Sequence, residues 1–202
     1  MGPEVLKEVH AGSLRNNYLL ILLPPSEKKL ETKSPTDAID VYIGVLYQAL
    51  GWNTLTTSAK KRAEKSLVII SAKYGAITPL SKIENYKEKI DNKKMAPVVA
   101  KALDVLKPKL IVDCRSSTYK TVWNSPVDIT VEIHVSTVVD GVRKVVTHMS
   151  KKTRGEIARM LLQTRSMPNS PEDLYAIVSE TYPCALTPPT QNEPWILEVI
   201  AV

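Results

Sequence analysis

Phenylalanine is absent from this sequence, and its 202 residues include only two cysteines and three histidines. The cysteines, Cys114 and Cys184, lie far apart and form no CxxC or Cys–His spacing, so a zinc site is not indicated. The scattered histidines also argue against a metal centre. Two isolated cysteines in a lysine-rich chain are typical of a reducing compartment. We therefore expect a cytoplasmic protein without a metal or other cofactor, whose core uses tyrosine, tryptophan and aliphatic side chains.

A long hydrophobic run is also missing near the start of the sequence. The longest apolar stretch there, Leu19–Leu23, is too short to span a membrane, and the region lacks a cleavage pattern. The sequence contains no GxSxG, Walker or GxGxxG motif, so the enzyme classes that carry these motifs are not indicated. We predict no association with a membrane and infer no stable protein partner.

Positive charge is what the sequence has in excess. It contains 27 lysines and arginines against 21 aspartates and glutamates, which gives a formal charge of +6. Hydrophobic residues make up 44% and charged residues 24%, as in an ordinary globular protein. This balance favours an anionic partner, such as DNA or a phosphate-bearing small molecule. A basic surface without any such partner is the alternative.

The hydrophobic pattern predicts a mixed α/β (α+β) fold with a central, mostly buried mixed sheet flanked by helices. Three apolar stretches do not alternate with polar residues, so we expect adjacent interior strands. These strands are Leu19–Leu23, Leu67–Ser71 and Leu110–Asp113. Alternation from 128 to 136 and the Asp140-Gly141 turn predict an antiparallel hairpin, with Val131 and Val145 on its two strands. A C-terminal strand closes the domain, which we predict to cover residues 18–202 after an irregular extension over 1–17.

Helical periodicity and capping residues predict helices between the strands. The predicted ranges are 34–50 with Gly44 inside, 58–65, 96–106 with Pro97 in the first turn, 153–165, and a helix that starts at Pro171 after the cap Ser170.

Polar loops follow all three buried strands: PPSEKK, SAKYGA and DCRSSTY. If the strands are parallel neighbours, these loops meet at the carboxyl end of the sheet, where α/β proteins bind ligands. An arginine followed by two serines suits an anion, because the guanidinium forms paired hydrogen bonds; a surface arginine beside a serine helix cap is the alternative. Glu27 is the candidate catalytic acid or base, and a solvated turn is the alternative for its loop. The predicted anion-contacting residues of the loops are Ser26, Lys29, Lys73, Arg115, Ser116, Ser117 and Tyr119.

A cluster of positive charge precedes the last long helix. This basic cluster consists of Lys151, Lys152 and Arg154. Cations are unfavourable at a helix N-terminus, because the helix dipole is already positive there. We therefore expect the basic cluster to face the same cleft as Arg115 and Ser116, with an anion bound between them. A salt bridge from its arginine to Glu27 or Glu156 is the alternative.

Several blocks resemble, in order and character, those of the YaaA family of peroxide stress proteins (UPF0246), and most of all its actinobacterial-type members. The blocks are LLILLPPSEKK, DAIDVYIGVLYQAL, IISAKYGAITPLSKI, DCRSSTYKTVW, VVTHMSKKTRGEIARMLL and the C-terminal EPWILEVIAV. The resemblance runs from about Leu19 to the end of the chain. It implies a single-domain, mixed α/β protein of the cytosol that limits oxidative damage, with links to iron and DNA and with DNA binding as its biochemical property. It implies no particular enzymatic reaction.

The sequence also departs from the family pattern. Lys28 stands where the family has a glycine, and the helical segment that longer members carry after the PPSE block is nearly gone. Thr78 and Lys87 replace family arginines and Ser81 replaces an aspartate, whereas Tyr86 is kept. These changes raise the possibility of a member that has kept the fold and lost the site.

Two functional hypotheses compete with that reading. The first is a stress protein whose basic cleft binds DNA or another phosphate-bearing ligand. The second is an enzyme that acts on a nucleotide or other anionic small molecule through the PPSE, DCRSS and KKTRG loops.

Overall fold

The computed structural model describes residues 19–201, and the predicted extension over residues 1–17 lies outside them. The strands are β1 (Leu19–Leu23), β2 (Thr36–Asp37), β3 (Leu67–Ser71), β4 (Gly75–Ile77), β5 (Lys82–Ile83), β6 (Leu110–Asp113), β7 (Thr130–Val139), β8 (Val142–Lys144), β9 (Cys184–Thr187) and β10 (Trp195–Ala201). The helices are α1 (Ala38–Val41), α2 (Val45–Leu50), α3 (Thr57–Ser66), α4 (Asn92–Leu103), α5 (Ser117–Lys120), α6 (Thr147–Gln163) and α7 (Pro171–Ser179). None of the described helices is long and apolar enough to cross a membrane.

One mixed sheet organises the fold, as predicted. Its strand order is β4-β3-β1-β6-β7-β10-β9, and β8 pairs with β7. The five strands from β3 to β10 are parallel, whereas β4, β8 and β9 add antiparallel pairs. The three apolar stretches are neighbours with β1 in the middle, which confirms that prediction. Strands β4 and β9 of this sheet were not predicted, nor was the separate two-stranded sheet of β2 and β5.

The central strands are apolar throughout because helices cover both faces of the sheet there. All five residues of β1 are buried. Leu19, Ile21 and Leu23 join the larger core cluster, which includes residues of α2, α3, α6 and α7. Leu20 and Leu22 face the other way and pack in a second cluster with α4. A polar side chain at any position of β1 would therefore be buried away from water, whichever face of the sheet it lies on.

The predicted hairpin forms, but its second strand is shorter than expected. Asp140 and Gly141 have φ values of 54° and 75°, which is the left-handed pair that a two-residue hairpin turn requires. Val131 lies on β7 as predicted, whereas Val145 lies beyond the end of β8 and is 78% exposed. The chain leaves the sheet after Lys144 because α6 begins only three residues later.

The predicted helix over 34–50 is broken at Gly44, which precedes α2 in an extended conformation. The N–H of Gly44 donates to Ser26 Oγ over 2.9 Å, and a Cβ at Gly44 would lie only 2.4 Å from that oxygen. Contact with the β1–β2 loop therefore replaces the helical conformation there.

Two other helices begin earlier than predicted. Helix α6 begins at Thr147 rather than 153, because Ser150 already donates its backbone N–H to the Val146 carbonyl. Helix α4 begins at Asn92 rather than 96, because the Asp91 side chain accepts the N–H of the third helical residue.

Gly155 sets how closely α6 approaches α2. A Cβ at this position would lie 2.1 Å from the Leu46 carbonyl oxygen and 2.9 Å from the Ala49 Cβ. Farther along α6, Arg159 donates to the carbonyl oxygens of Leu50 and Gly51 at the end of α2. The two helices therefore pack with their backbones in contact, and Gly155 serves this packing.

Candidate functional site

The three polar loops meet at one edge of the sheet. Strands β1, β3 and β6 are parallel neighbours, so they end at the same edge of the sheet. Leu22 is opposite Asp113, and Leu23 is opposite Ile69, two residues before the end of β3. All residues of these strands are buried, so each loop starts from a fixed point. We call these strand ends and the loops that follow them the carboxyl edge.

Ser26 fastens the first loop to the start of α2. Its Oγ donates to the Lys28 carbonyl oxygen over 2.6 Å and accepts the N–H of Gly44. The side chain is buried. The single hydroxyl proton of Ser26 is thus engaged within the chain, so this residue holds the loop in place.

Lys29 has the most unusual surroundings of the candidate residues. Its Nζ lies 4.2 Å from the centroid of the Tyr86 ring and 5.9 Å from that of Tyr42. Burial lowers the pKa of this amine, and the negative charges of Glu88 and Glu27 oppose that shift. No carboxylate of the described residues forms a salt bridge with it. Lys29 is therefore a partly dehydrated cation held against aromatic rings.

A chain of buried hydroxyl groups adjoins Lys29. The hydroxyls of Tyr42 and Tyr86 are 2.7 Å apart, and that of Tyr86 is 2.8 Å from Ser71 Oγ. Ser71 Oγ accepts the backbone N–H groups of Lys73 and Tyr74, so its own proton is left for Tyr86. Burial raises the pKa of both Tyr42 and Tyr86, so each phenol keeps its proton.

The rim of the carboxyl edge carries charges of both signs. Lys73 Nζ lies 3.9 Å from Glu88 Oε1, so this predicted anion contact already has an acidic neighbour. Glu27 is exposed. Burial raises the pKa of Tyr119 to about 12, and its neighbours Tyr86 and Glu27 add to the shift. Tyr119 is therefore a protonated hydrogen-bond donor at neutral pH.

Arg115, a predicted contact of an external anion, binds an anionic group of the chain itself. Its Nε and Nη2 donate to the Asp113 carboxylate over 2.7 to 3.1 Å. Its Nη1 donates to the carbonyl oxygens of Tyr119 and Trp123, and Nη2 also donates to the latter. Arg115 is 1% exposed, and its N–H groups are engaged within the chain. It is a structural residue that joins β6 to the end of the following loop.

The two serines after Arg115 are closer to solvent. Ser116 precedes the four-residue α5, is half-buried, and makes no side-chain hydrogen bond to the start of that helix. Ser117 is exposed. Their contact with an anion stays a prediction.

The basic cluster does not lie at a helix N-terminus. Because α6 begins at Thr147, Lys151 is its fifth residue, and the predicted conflict with the helix dipole does not arise. Arg115 itself is buried, so it does not line a cleft with the cluster, and a cleft shared with Ser116 stays a prediction.

The three members of the basic cluster have different surroundings. Lys152 Nζ lies 3.6 Å from Glu156 Oε1, so the Glu156 ion pair that was the alternative for Arg154 is made by a lysine. Arg154 donates from Nε and Nη2 to the Ile133 carbonyl oxygen, over 3.2 and 3.0 Å. Lys151 is exposed.

Cys114 follows β6 directly and is fully buried. Burial raises the pKa of its thiol to about 12, although the positive charges of Arg154 and Lys120 oppose the shift. A thiol of this kind is a poor nucleophile, because thiolates carry out that chemistry. Within residues 19–201, no group of three or more His, Cys, Asp or Glu side chains is arranged to hold a metal ion.

Tyr42, Tyr86 and Ser71 were missing from the predicted site. Tyr42 falls within the predicted helix over 34–50, where no role in the site was expected for it. The signal that could have found the tyrosines is the absence of phenylalanine beside eight tyrosines. A core that takes its aromatic rings from tyrosine buries hydroxyl groups, and these hydroxyls need partners.

Comparison with known proteins agrees with the resemblance of the sequence blocks. Residues 23–185 match the family model described as peroxide stress protein YaaA. A UPF0246 protein of Streptomyces coelicolor is 29% identical over 185 residues, which cover 85% of this chain and 71% of the relative. A UPF0246 protein of Corynebacterium glutamicum is 32% identical over 166 residues, which cover 75% of this chain and 65% of the relative.

Proposed function

Since the chain belongs to the YaaA family of peroxide stress proteins, we propose that it binds DNA or another phosphate-bearing ligand at the carboxyl edge. Lys29 carries this proposal. Its amine is partly dehydrated and has no salt-bridge partner among the described residues. A phosphate oxygen would supply the missing negative charge and accept a charge-assisted hydrogen bond.

Arg154 supports the same assignment. It uses Nε and Nη2 on the Ile133 carbonyl, and Nη1 has no hydrogen-bond partner among the described residues. Ile133 follows Glu132, which pairs with Asp113 at the end of β6, so the guanidinium lies near the carboxyl edge. The net charge of +6 favours the approach of a polyanion from a distance.

A salt-dependent titration tests the proposal. Fluorescence anisotropy of a labelled DNA duplex should report binding that weakens steeply between about 50 and 200 mM salt, as phosphate contacts require. Lys29→Gln should weaken binding about tenfold, which corresponds to the loss of one charge-assisted hydrogen bond.

Lys109→Gln is the matched control. Lys109 is exposed and precedes β6, at the opposite end of that strand from the carboxyl edge. Its loss should leave the affinity nearly unchanged. If the wild-type protein binds neither DNA nor nucleotides at about 50 mM salt, or if the two variants lose equal affinity, the proposal is wrong.

An enzyme acting on an anionic small molecule is the second candidate. The lowered pKa of Lys29 beside the acid Glu27 favours it, because acid–base catalysis needs such groups close together. Two surface cavities, of about 250 and 430 Å³, lie along α4 and Trp123, and neither is lined by Glu27 or Lys29. A thermal-shift screen with nucleotides and phosphorylated metabolites would decide the question, since an enzyme of this kind should be stabilised by its substrate or product.

A further inference from the structure

The β7–β8 hairpin exposes an unusual amount of apolar surface. We call residues 137–145 the hairpin arm. Nine large hydrophobic side chains are exposed in residues 19–201, and four of them lie on this arm. They are Val138, Val139, Val142 and Val145, which are between 37% and 78% exposed. Isolated exposed apolar residues are common, but a concentration of them marks an interaction surface.

Both faces of the arm combine a cation with valine. Val138 pairs with Arg143, so these two side chains share one face of the two-stranded ribbon. Val139 pairs with Val142, and the neighbouring cross-strand pair places Lys144 on that same second face. Strand β8 pairs only with β7, so the arm extends from the sheet as a ribbon.

The arm and the start of α6 carry much of the net charge. Residues 137–152 contain four lysines and arginines and one acidic residue, which gives +3, half of the total of +6. Ser150 Oγ donates to the Val135 carbonyl oxygen, so the first turn of α6 is fastened to β7 at the base of the arm. The lysines of the basic cluster therefore follow, along α6, a turn that is fixed at the base of the arm.

We infer that the hairpin arm lies in a groove of duplex DNA. This inference rests on the proposed function and names the part of the protein that enters the nucleic acid. The major groove of B-DNA, about 12 Å wide, admits a two-stranded β-ribbon. Arg143 and Lys144 contact phosphates at the groove walls, and the valines contact base edges and thymine methyl groups.

The charges disfavour the other occupants of such a ribbon. A second copy paired along β8 in antiparallel fashion would bring Arg143 and Lys144 close to the same cations of its partner. An anionic membrane would meet Asp140 at the tip first, and its carboxylate would be repelled there. Duplex DNA receives Arg143 and Lys144 of β8, which project from opposite faces of the ribbon.

Two double variants and a control test the inference by anisotropy with a labelled duplex. Arg143→Gln/Lys144→Gln should lower the slope of log affinity against log salt by about 2, since each phosphate contact contributes about 0.9. Val139→Ser/Val142→Ser should weaken binding roughly fivefold without changing the slope, because it removes only apolar contact. Lys61→Gln/Lys65→Gln removes the same charge from exposed positions on α3 and should keep the wild-type slope.

Each result separates the inference from the proposed function. If both arm variants bind like wild type while Lys29→Gln loses affinity, the inference is overturned and the proposed function stands. If the wild-type protein binds nucleotides but not DNA, the inference fails and the proposed function stands; if it binds neither, both fail. Arm variants that keep their affinity for DNA could instead lose binding to phosphatidylserine vesicles, which would assign the arm to a membrane. If such variants lose a dimer in size-exclusion chromatography, the arm contacts a second copy. Melting curves verify that the variants fold.

Discussion

The loops after β1 and β6 contain similar residue types and use them in opposite ways. Both begin at buried strand ends and both offer a cation beside serines. In the β6 loop, Arg115 is buried and its donors are taken up by Asp113 and by backbone carbonyls. In the β1 loop, Lys29 is half-buried against Tyr86 without a salt-bridge partner among the described residues.

The difference teaches that residue type alone does not distinguish a scaffold from a site. Arg115 has the better anion-binding chemistry, because its fork of donors suits a phosphate. In this protein, those donors form hydrogen bonds within the fold. A ligand can use only the donors that the fold leaves over, and of these two cations Lys29 is the one with donors left.

The largest effect should come from breaking the buried pair. Arg115→Ala would leave the Asp113 carboxylate buried without its partner, so the free energy of unfolding should fall by about 3–5 kcal/mol. Urea denaturation measures the change, and Arg143→Ala, at an exposed arginine, should shift it by less than about 0.5 kcal/mol. An Arg115→Ala protein of wild-type stability that no longer binds DNA would make Arg115 a ligand contact after all.

A smaller loss should follow from disturbing the β1 loop. Gly44→Ala would place a Cβ 2.4 Å from Ser26 Oγ and should lower the free energy of unfolding by about 1–3 kcal/mol. Adding Ser26→Ala removes the clashing oxygen, so the double variant should be more stable than the sum of the two single changes predicts. If the losses of stability measured by thermal unfolding are additive, the two side chains do not clash.

The smallest effect concerns the partly exposed ion pair between Lys120 and Glu132, beside the β6 loop. Hydrogen bonds from His134 and Lys120 lower the pKa of Glu132 to about 2, against burial, which opposes the shift. Because the folded pKa is lowered, the stabilisation is present above the ordinary value of 4.5 and is lost as the pH falls towards 2.

As the pH falls from 4.5 towards 2, the wild-type protein should therefore lose its greater stability relative to Glu132→Gln. We expect the difference in free energy of unfolding to change by about 1 kcal/mol, since water screens a partly exposed pair. Melting temperatures of both proteins across this range measure it. A gap that stays constant with pH would show that Glu132 is not held as a carboxylate in this way.

The sequence predicted those features that depend on local pattern. The apolar stretches of β1, β3 and β6 identify interior strands, because burial on both faces removes the polar alternation. Asp140-Gly141 identifies the hairpin, because its two φ angles suit these residue types. Ser170 and Pro171 identify the start of α7, where the serine side chain accepts the N–H of Asp173.

The features that the sequence did not predict depend on contacts between distant residues. Gly44 interrupts a helical pattern because of Ser26, which lies 18 residues earlier. The hydroxyls of Tyr42 and Tyr86 meet across 44 positions of the chain. Arg115 forms its hydrogen bonds within the chain in part because the carbonyl of Trp123 points towards it, and no side-chain pattern encodes that direction.

The central claim is that Lys29, unlike Arg115, is a cation that the fold leaves for a ligand. Reductive ¹³C-methylation of the lysines and NMR titration measure the pKa of the Lys29 amine directly, with Lys29→Arg used to assign its signal. We predict a pKa below those of the exposed lysines in the free protein, and a rise when duplex DNA or inorganic phosphate binds, since a nearby anion stabilises the charged amine. A Lys29 signal that keeps its pKa while other lysine signals respond to the ligand would contradict the account.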